Sequence, residues 1–339
     1  MSETAQILIR HGVDLKTFDA EIRPAAQPVV LKDLVSDWPV VRAARESRRA
    51  LADCLRGFDR GRPVTVVERP AGSSGHLFYR PDMSGFNFTR APGQIGATLD
   101  RLLAIADQPE ADAPTIFLES MPTAEFLPDF AAAHPMPFVP RDAGPRVWIG
   151  NRVKVQTHFD LLYNIACVVG GRRRFTLFPP EQMPNLYPGP IDFTPSGTPL
   201  SMVPFVAPDA AQFPRYAEAL RHARSAELEP GDALYIPYGW WHHVESLTPF
   251  NVLVNYWWND APPLGSPYSV LLHAALTLRD LPADQRAVWS GIFAHLVFTD
   301  PEQSMRHLPP AQRGLLSPPS ARRIQEVRRI LAQTFAGKP

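Results

Sequence analysis

Thr157-His158-Phe159-Asp160 and, further on, Gly231-Asp232-Ala233-Leu234-Tyr235-Ile236-Pro237-Tyr238-Gly239-Trp240-Trp241-His242-His243 are the stretches that decide how this chain reads. In a strand, residues i and i+2 point to the same face. His158 and Asp160 then present an imidazole and a carboxylate side by side. Two ligands hold a metal weakly, so a third donor must come from elsewhere. The second stretch offers one: a strand, a turn, then a pair of histidines. Two histidines and one carboxylate on one side of a metal leave three positions open, the facial arrangement of non-haem iron. Adjacent strand residues face opposite ways, so His242 and His243 are not equivalent, and the residues alone leave open which one completes the set.

Outward from these stretches the middle of the chain reads as strands, at 146–150, 155–168, 173–178, 233–237 and 250–258. Gly170-Gly171 and Gly231-Asp232 punctuate them as turns. Short strands at this spacing predict an antiparallel sandwich or barrel. Residues 183–228 read as an irregular insertion with a helix at 210–224. The first third is mixed, with strands at 27–31, 63–67, 77–79 and 115–118 and helices at 40–57 and 96–106. Beyond Ser266-Pro267, an N-cap followed by proline at the first helical position, the spacing predicts helices at 267–279, 283–298 and 319–335. The expected organisation is a mainly β domain with an α/β flank over 1–262 and a helical region over 263–339, acting as a lid or in dimerisation.

Composition narrows the function classes. Lys plus Arg and Asp plus Glu both number 34, which argues against a nucleic-acid binder. Two cysteines make no disulfide framework and fit a reducing compartment. The N-terminus lacks a signal-peptide core, and no apolar run reaches the roughly 18 residues that span a bilayer. The expectation is a cytoplasmic protein without a membrane segment. The 38 prolines are spread between apolar segments, as expected of many strand ends rather than a disordered tail.

Several runs together carry a family resemblance: His158-Phe159-Asp160, Asn164, Gly171-Arg172-Arg173-Arg174-Phe175-Thr176-Leu177-Phe178-Pro179-Pro180, Gly231 to Ser246, and Asn255-Tyr256-Trp257. They resemble the JmjC and cupin-like oxygenases that use Fe(II) and 2-oxoglutarate, in particular those similar to the asparaginyl hydroxylase of hypoxia-inducible factor. The resemblance spans about 18–300. It implies a double-stranded β-helix, or jelly-roll, core with His158, Asp160 and His242 as iron ligands and His243 as the alternative third ligand. It places Asn164 and Asn255 beside 2-oxoglutarate or bound water and makes Trp257 a wall of the pocket. The cation for the far carboxylate of 2-oxoglutarate, a lysine in many relatives, is Arg173 here, with membership of a solvated arginine run as its other reading. Two hydroxyl positions of the family are apolar, Val155 and Phe117, with Thr157 as a partial substitute. The resemblance further implies O2 as co-substrate, a protein or small-molecule substrate, and a homodimer formed through the C-terminal helices. Tyr79, Arg80, Glu119 and Tyr163 are candidates for a substrate groove. The rival expectation is a cupin that binds metal without turning over 2-oxoglutarate.

Overall fold

The computed structural model describes residues 4–72, 75–195, 197–261, 266–317 and 320–336. The chain divides into two compact units, Met1–Asn259 and Asp260–Pro339. The boundary expected between 262 and 263 lies outside the described residues, as does the start of the helix expected at 319.

The strands of the first unit are β1 (Ala5–Gln6), β2 (Leu8–His11), β3 (Val29–Lys32), β4 (Val64–Arg69), β5 (His76–Leu77), β6 (Thr89–Gly93), β7 (Thr115–Pro122), β8 (Arg146–Gly150), β9 (Lys154–Phe159), β10 (Tyr163–Gly170), β11 (Arg173–Phe178), β12 (Arg224–Leu228), β13 (Ala233–Ile236), β14 (Trp241–Ser246) and β15 (Asn251–Trp258). They form two mixed sheets. One has the order β1-β12-β11-β14-β9-β5, the other β2-β3-β13-β10-β15-β8-β7-β4-β6. The sheets pack as a jelly-roll-like core.

Alternation along the strands builds both layers of packing. In β15, Val252, Val254, Tyr256 and Trp258 join a large cluster with the helices Pro39–Glu46, Arg48–Phe58 and Ile95–Ile105. Leu253 points the other way, into the apolar layer between the sheets. Strand β11 does the same, sending Phe175 and Leu177 inward and Phe178 outward under the 180–222 segment. At the turn between β10 and β11, Gly171 has a positive φ of 72° and lies tight against Thr248, Phe250 and Asn251, where a side chain would collide.

Three expectations are corrected. The strand expected over 155–168 is two strands in different sheets, β9 and β10, joined by a crossing at 160–162. No glycine or proline marks the switch, and Leu161-Leu162 in the crossing reads like strand. The helix expected at 40–57 breaks at Ser47, whose extended backbone caps the following helix through an Ala50 N–H to Ser47 Oγ bond of 3.0 Å. The helix expected at 210–224 covers only Tyr216–His222, and Arg224–Leu228 is a strand that buries Ala226 and Leu228.

In the second unit the helices Pro267–Leu278, Ala283–Phe293 and Ala321–Ala336 fall close to the expected spans. The first two bury none of their residues, and Leu276, Val288, Val297 and Phe298 are each at least 60% exposed. Among the described residues no helix is long and apolar enough to cross a membrane.

Candidate metal centre

The three residues expected to bind metal come from three different pieces of backbone. His158 lies near the end of β9, Asp160 in the crossing that follows it, and His242 opposite His158 on the neighbouring strand β14. A bulge decides the aim of His158. The register of β9 against β14 shifts between His242 and Val244, so that Val155 and His158, three residues apart, both face the interior. Strict alternation from Val155 would have turned His158 outward.

Ligand atoms of His158, Asp160 and His242 all lie within 4.8 Å of one another, and this is the only such cluster of three or more His, Cys, Asp or Glu among the described residues. His242 Nε2 is 3.7 Å from Asp160 Oδ2, and the two imidazole centroids are 4.2 Å apart. Both histidines are oriented by the same device. His158 Nδ1 donates to the Gln156 carbonyl at 2.8 Å, and His242 Nδ1 donates to the Trp240 carbonyl at 3.1 Å. A carbonyl only accepts, so each Nδ1 carries the proton and each Nε2 lone pair is left for a metal. Burial, reinforced by the neighbouring His158, holds His242 neutral, its pKa pushed down to about 4. Neutral imidazoles beside a carboxylate form a donor set suited to iron.

His243 points to the other side of the sheet. It is buried and stacked on Phe205, with centroids 3.8 Å apart and planes 10° from parallel, and neither ring nitrogen has a hydrogen-bond partner. Burial pushes its pKa down to about 3.

Beside the metal cluster lies a small inner chamber whose polar groups are Asn164, Arg173 and Asn255. They do not share one strand with the ligands. Asn164 from β10 and Asn255 from β15 arrive across the sandwich, while Arg173, at the start of β11, lies in the ligands' own sheet beside β14. Asn255 accepts a 2.7 Å bond from Trp148 Nε1 and lies 3.4 Å from Asn164 Oδ1 through its amide nitrogen. Trp148 was not singled out in the sequence, although its inward parity on β8 was available. It stacks on Phe117 and meets Trp257 edge-on at 5.9 Å, so Trp257 is a wall of the chamber.

Arg173 differs from its neighbours. Arg172 and Arg174 are exposed and ion-pair with Glu227, whereas Arg173 is 3% exposed. Its Nε and one terminal nitrogen are buried without a partner. Burial lowers its pKa to about 10. A desolvated guanidinium with unmatched donors, in a chamber that opens on the metal ligands, fits a carboxylate ligand. Val155 and Phe117 line the same chamber as apolar surface. Thr157 is buried but does not line this chamber. Its carbonyl accepts the Ser201 N–H at 2.8 Å.

A second, outer chamber of about 290 Å³ shares His158, Asp160, Phe117, Trp148, Val155 and Trp257 with the first and adds Arg90, Glu119, Pro195 and Leu200. Of the four groove candidates, Glu119 lines it, while Tyr79, Arg80 and Tyr163 do not.

Comparison with known proteins agrees with this architecture. Human HSPB1-associated protein 1 is 41% identical over 113 residues, which is 33% of this chain and 22% of that protein. The lysine-specific demethylase JMJ31 of Arabidopsis thaliana is 38% identical over 114 residues, 33% of this chain and 20% of that one. The Jumonji C domain-containing protein 5 of Drosophila melanogaster is 25% identical over 247 residues, 72% of this chain and 57% of that protein. The matched part thus makes up about a fifth of the first two relatives. A family model for the Cupin-like domain matches residues 15–263, and the chain belongs to that JmjC-type family, which includes iron- and 2-oxoglutarate-dependent oxygenases.

Proposed function

We propose that this chain is an Fe(II)- and 2-oxoglutarate-dependent oxygenase that hydroxylates a protein or peptide side chain. The observation that carries the reading is Arg173: a buried guanidinium with unmatched donors, in the chamber that the His158, Asp160 and His242 cluster closes. When bound, iron and 2-oxoglutarate supply the activation of O2 and the oxidation of a substrate C–H bond. The chain's own residues do the rest. His158 and His242 offer Nε2 lone pairs held in place by their Nδ1–H bonds, and Asp160 offers a carboxylate. Arg173 pairs with the far carboxylate of 2-oxoglutarate through its fork. Asn164 and Asn255 orient the polar atoms near the metal. Phe117, Val155, Trp148 and Trp257 keep water out. No protein acid or base is required.

The substrate reading draws on names and charge. One relative is named as associated with HSPB1 and another as a lysine demethylase, while a Gallus gallus relative 34% identical over 120 residues is named for tRNA wybutosine synthesis. The even charge balance of this chain favours protein over RNA. The exposed apolar side chains of the second unit support a homodimer.

The test is anaerobic loading with Fe(II) followed by titration with 2-oxoglutarate. A weak visible charge-transfer band is expected in the wild type and none in His158→Ala. Iron binding without a band would instead favour a metal-binding cupin that does not turn over 2-oxoglutarate, the reading that apolar Val155 and Phe117 keep open.

A further inference from the structure

The outer chamber has a polar edge built with unusual care. Strand β7 loses its register against β8 between Leu118 and Met121, which lifts Glu119 and Ser120 out of the ladder and onto the chamber wall. Ser120 sits at a φ of 51°, a conformation that serine rarely adopts. Arg146 holds it there, donating from Nε to Ser120 Oγ at 2.6 Å and from Nη2 to the Ser120 carbonyl at 2.8 Å. Glu119 is thereby fixed at the chamber edge. Arg90, two strands away on β6, reaches it with Nη2 at 2.9 Å and shares that nitrogen with the Pro195 carbonyl at 3.3 Å. The guanidinium carbon lies 4.9 Å from the Phe88 ring centroid. Both side chains are about a third exposed, and among the described residues Glu119 Oε2 and Arg90 Nε and Nη1 have no hydrogen-bond partner.

We propose that Arg90 and Glu119 are the specificity-determining pair of the outer chamber, and that they select an uncharged substrate group able both to donate and to accept a hydrogen bond, carried on an apolar or aromatic stem. This deepens the oxygenase reading and rests on it for the identity of the outer chamber as the place where substrate meets the metal. The argument is one of charge balance. The pair neutralises itself, so a cation at this edge gains little from Glu119 beside the charge of Arg90, and an anion little from Arg90 beside that of Glu119. A neutral group takes the unused acceptor and donors without breaking the pair. Aromatic and aliphatic walls, including Phe88, Trp148, Leu200 and Trp257, accept the stem.

The test uses three probes of one stem, 3-phenylpropanol, 3-phenylpropanoate and 3-phenylpropylamine, titrated by ligand-observed NMR into the metal-free full chain carrying Asp160→Asn and Arg173→Met, which removes the two other charges of the chambers and serves as wild type for the pair. The alcohol is expected to bind wild type roughly fivefold more tightly than either charged probe. Glu119→Gln should make the propanoate the best ligand, and Arg90→Gln the amine. The reciprocal exchange, Arg90→Glu with Glu119→Arg, should restore the wild-type order, which a merely structural role for the pair would not produce. A wild-type preference for a charged probe, an order unmoved by either single change, or no binding of any probe overturns the proposal. Because neither iron nor turnover enters the measurement, the expected order without a 2-oxoglutarate band would sink the oxygenase reading and leave the charge selection standing.

Discussion

Arg173 has to serve two opposed demands. Its charge is costly where it sits, and burial alone lowers its pKa to about 10 in the folded protein. Because the folded pKa is the lower one, the penalty is fully present below about pH 10 and is relieved only above it. Replacing the charge with an isosteric apolar chain therefore stabilises the metal-free protein and removes the ligand's partner. Arg173→Met is expected to raise the melting temperature by a few degrees while weakening 2-oxoglutarate binding roughly tenfold to a hundredfold. A fall in melting temperature together with unchanged binding would show that Arg173 is a structural cation. The histidine pair makes a separate prediction. Burial lowers His242 and His243 to about 4 and 3 from 6.5. The unfolded chain then binds protons first as pH falls, so stability present above pH 6.5 is lost below it, at about 1.4 kcal/mol per pH unit for each residue. Thermal melts of the metal-free protein should drop steadily from pH 6.5 to pH 4. His243→Phe should flatten that slope and leave metal affinity intact, whereas His242→Phe should abolish metal binding; the opposite pairing would make His243 the third ligand.

At the level of elements, the bulge in β9 and the crossing at 160–162 set the site. They turn His158 inward and carry Asp160 off the strand. The helical layer behind the nine-stranded sheet depends on a smaller feature. Ser47 ends one helix and caps the next, its side chain accepting the Ala50 N–H. Ser47→Ala is expected to cost about 1 kcal/mol and lower the melting temperature by a few degrees, with Ser47→Asp close to wild type. Differential scanning calorimetry of the two variants decides this. An equal loss in both would mean that the cap contributes little and that packing alone holds the break.

For the whole molecule, the contrast between the two units bears on assembly. The first has large buried clusters on both sides of each sheet. The second leaves Leu271, Leu276, Val288, Trp289, Val297 and Phe298 exposed, and a groove of about 530 Å³ runs along Leu271, Leu278, Trp289, Phe293 and Phe298. Surfaces of this kind are covered in stable assemblies. Sedimentation of the full chain is expected to give a dimer, and Leu276→Glu with Val297→Glu a monomer that still binds metal. A wild-type monomer at micromolar concentration would exclude the homodimer.

What the sequence determined by itself was a candidate metal-ligand set and most of the β scaffold. The β8 and β11 spans are legible residue by residue because β-branched and aromatic residues alternate between clear turn signals. The His-x-Asp spacing and the later His pair name the candidate metal site because such groups rarely sit together in a core, and the two asparagines were legible through the family resemblance. Tertiary structure decided how those residues meet. Asn164 and Asn255 reach the metal cluster across the sandwich, since the chain changes sheets at 160–162, where no glycine or proline marks a turn. It also separated Arg173 from Arg172 and Arg174. Three successive arginines look alike in sequence, and only strand parity against a packed interior leaves one of them buried and without a partner.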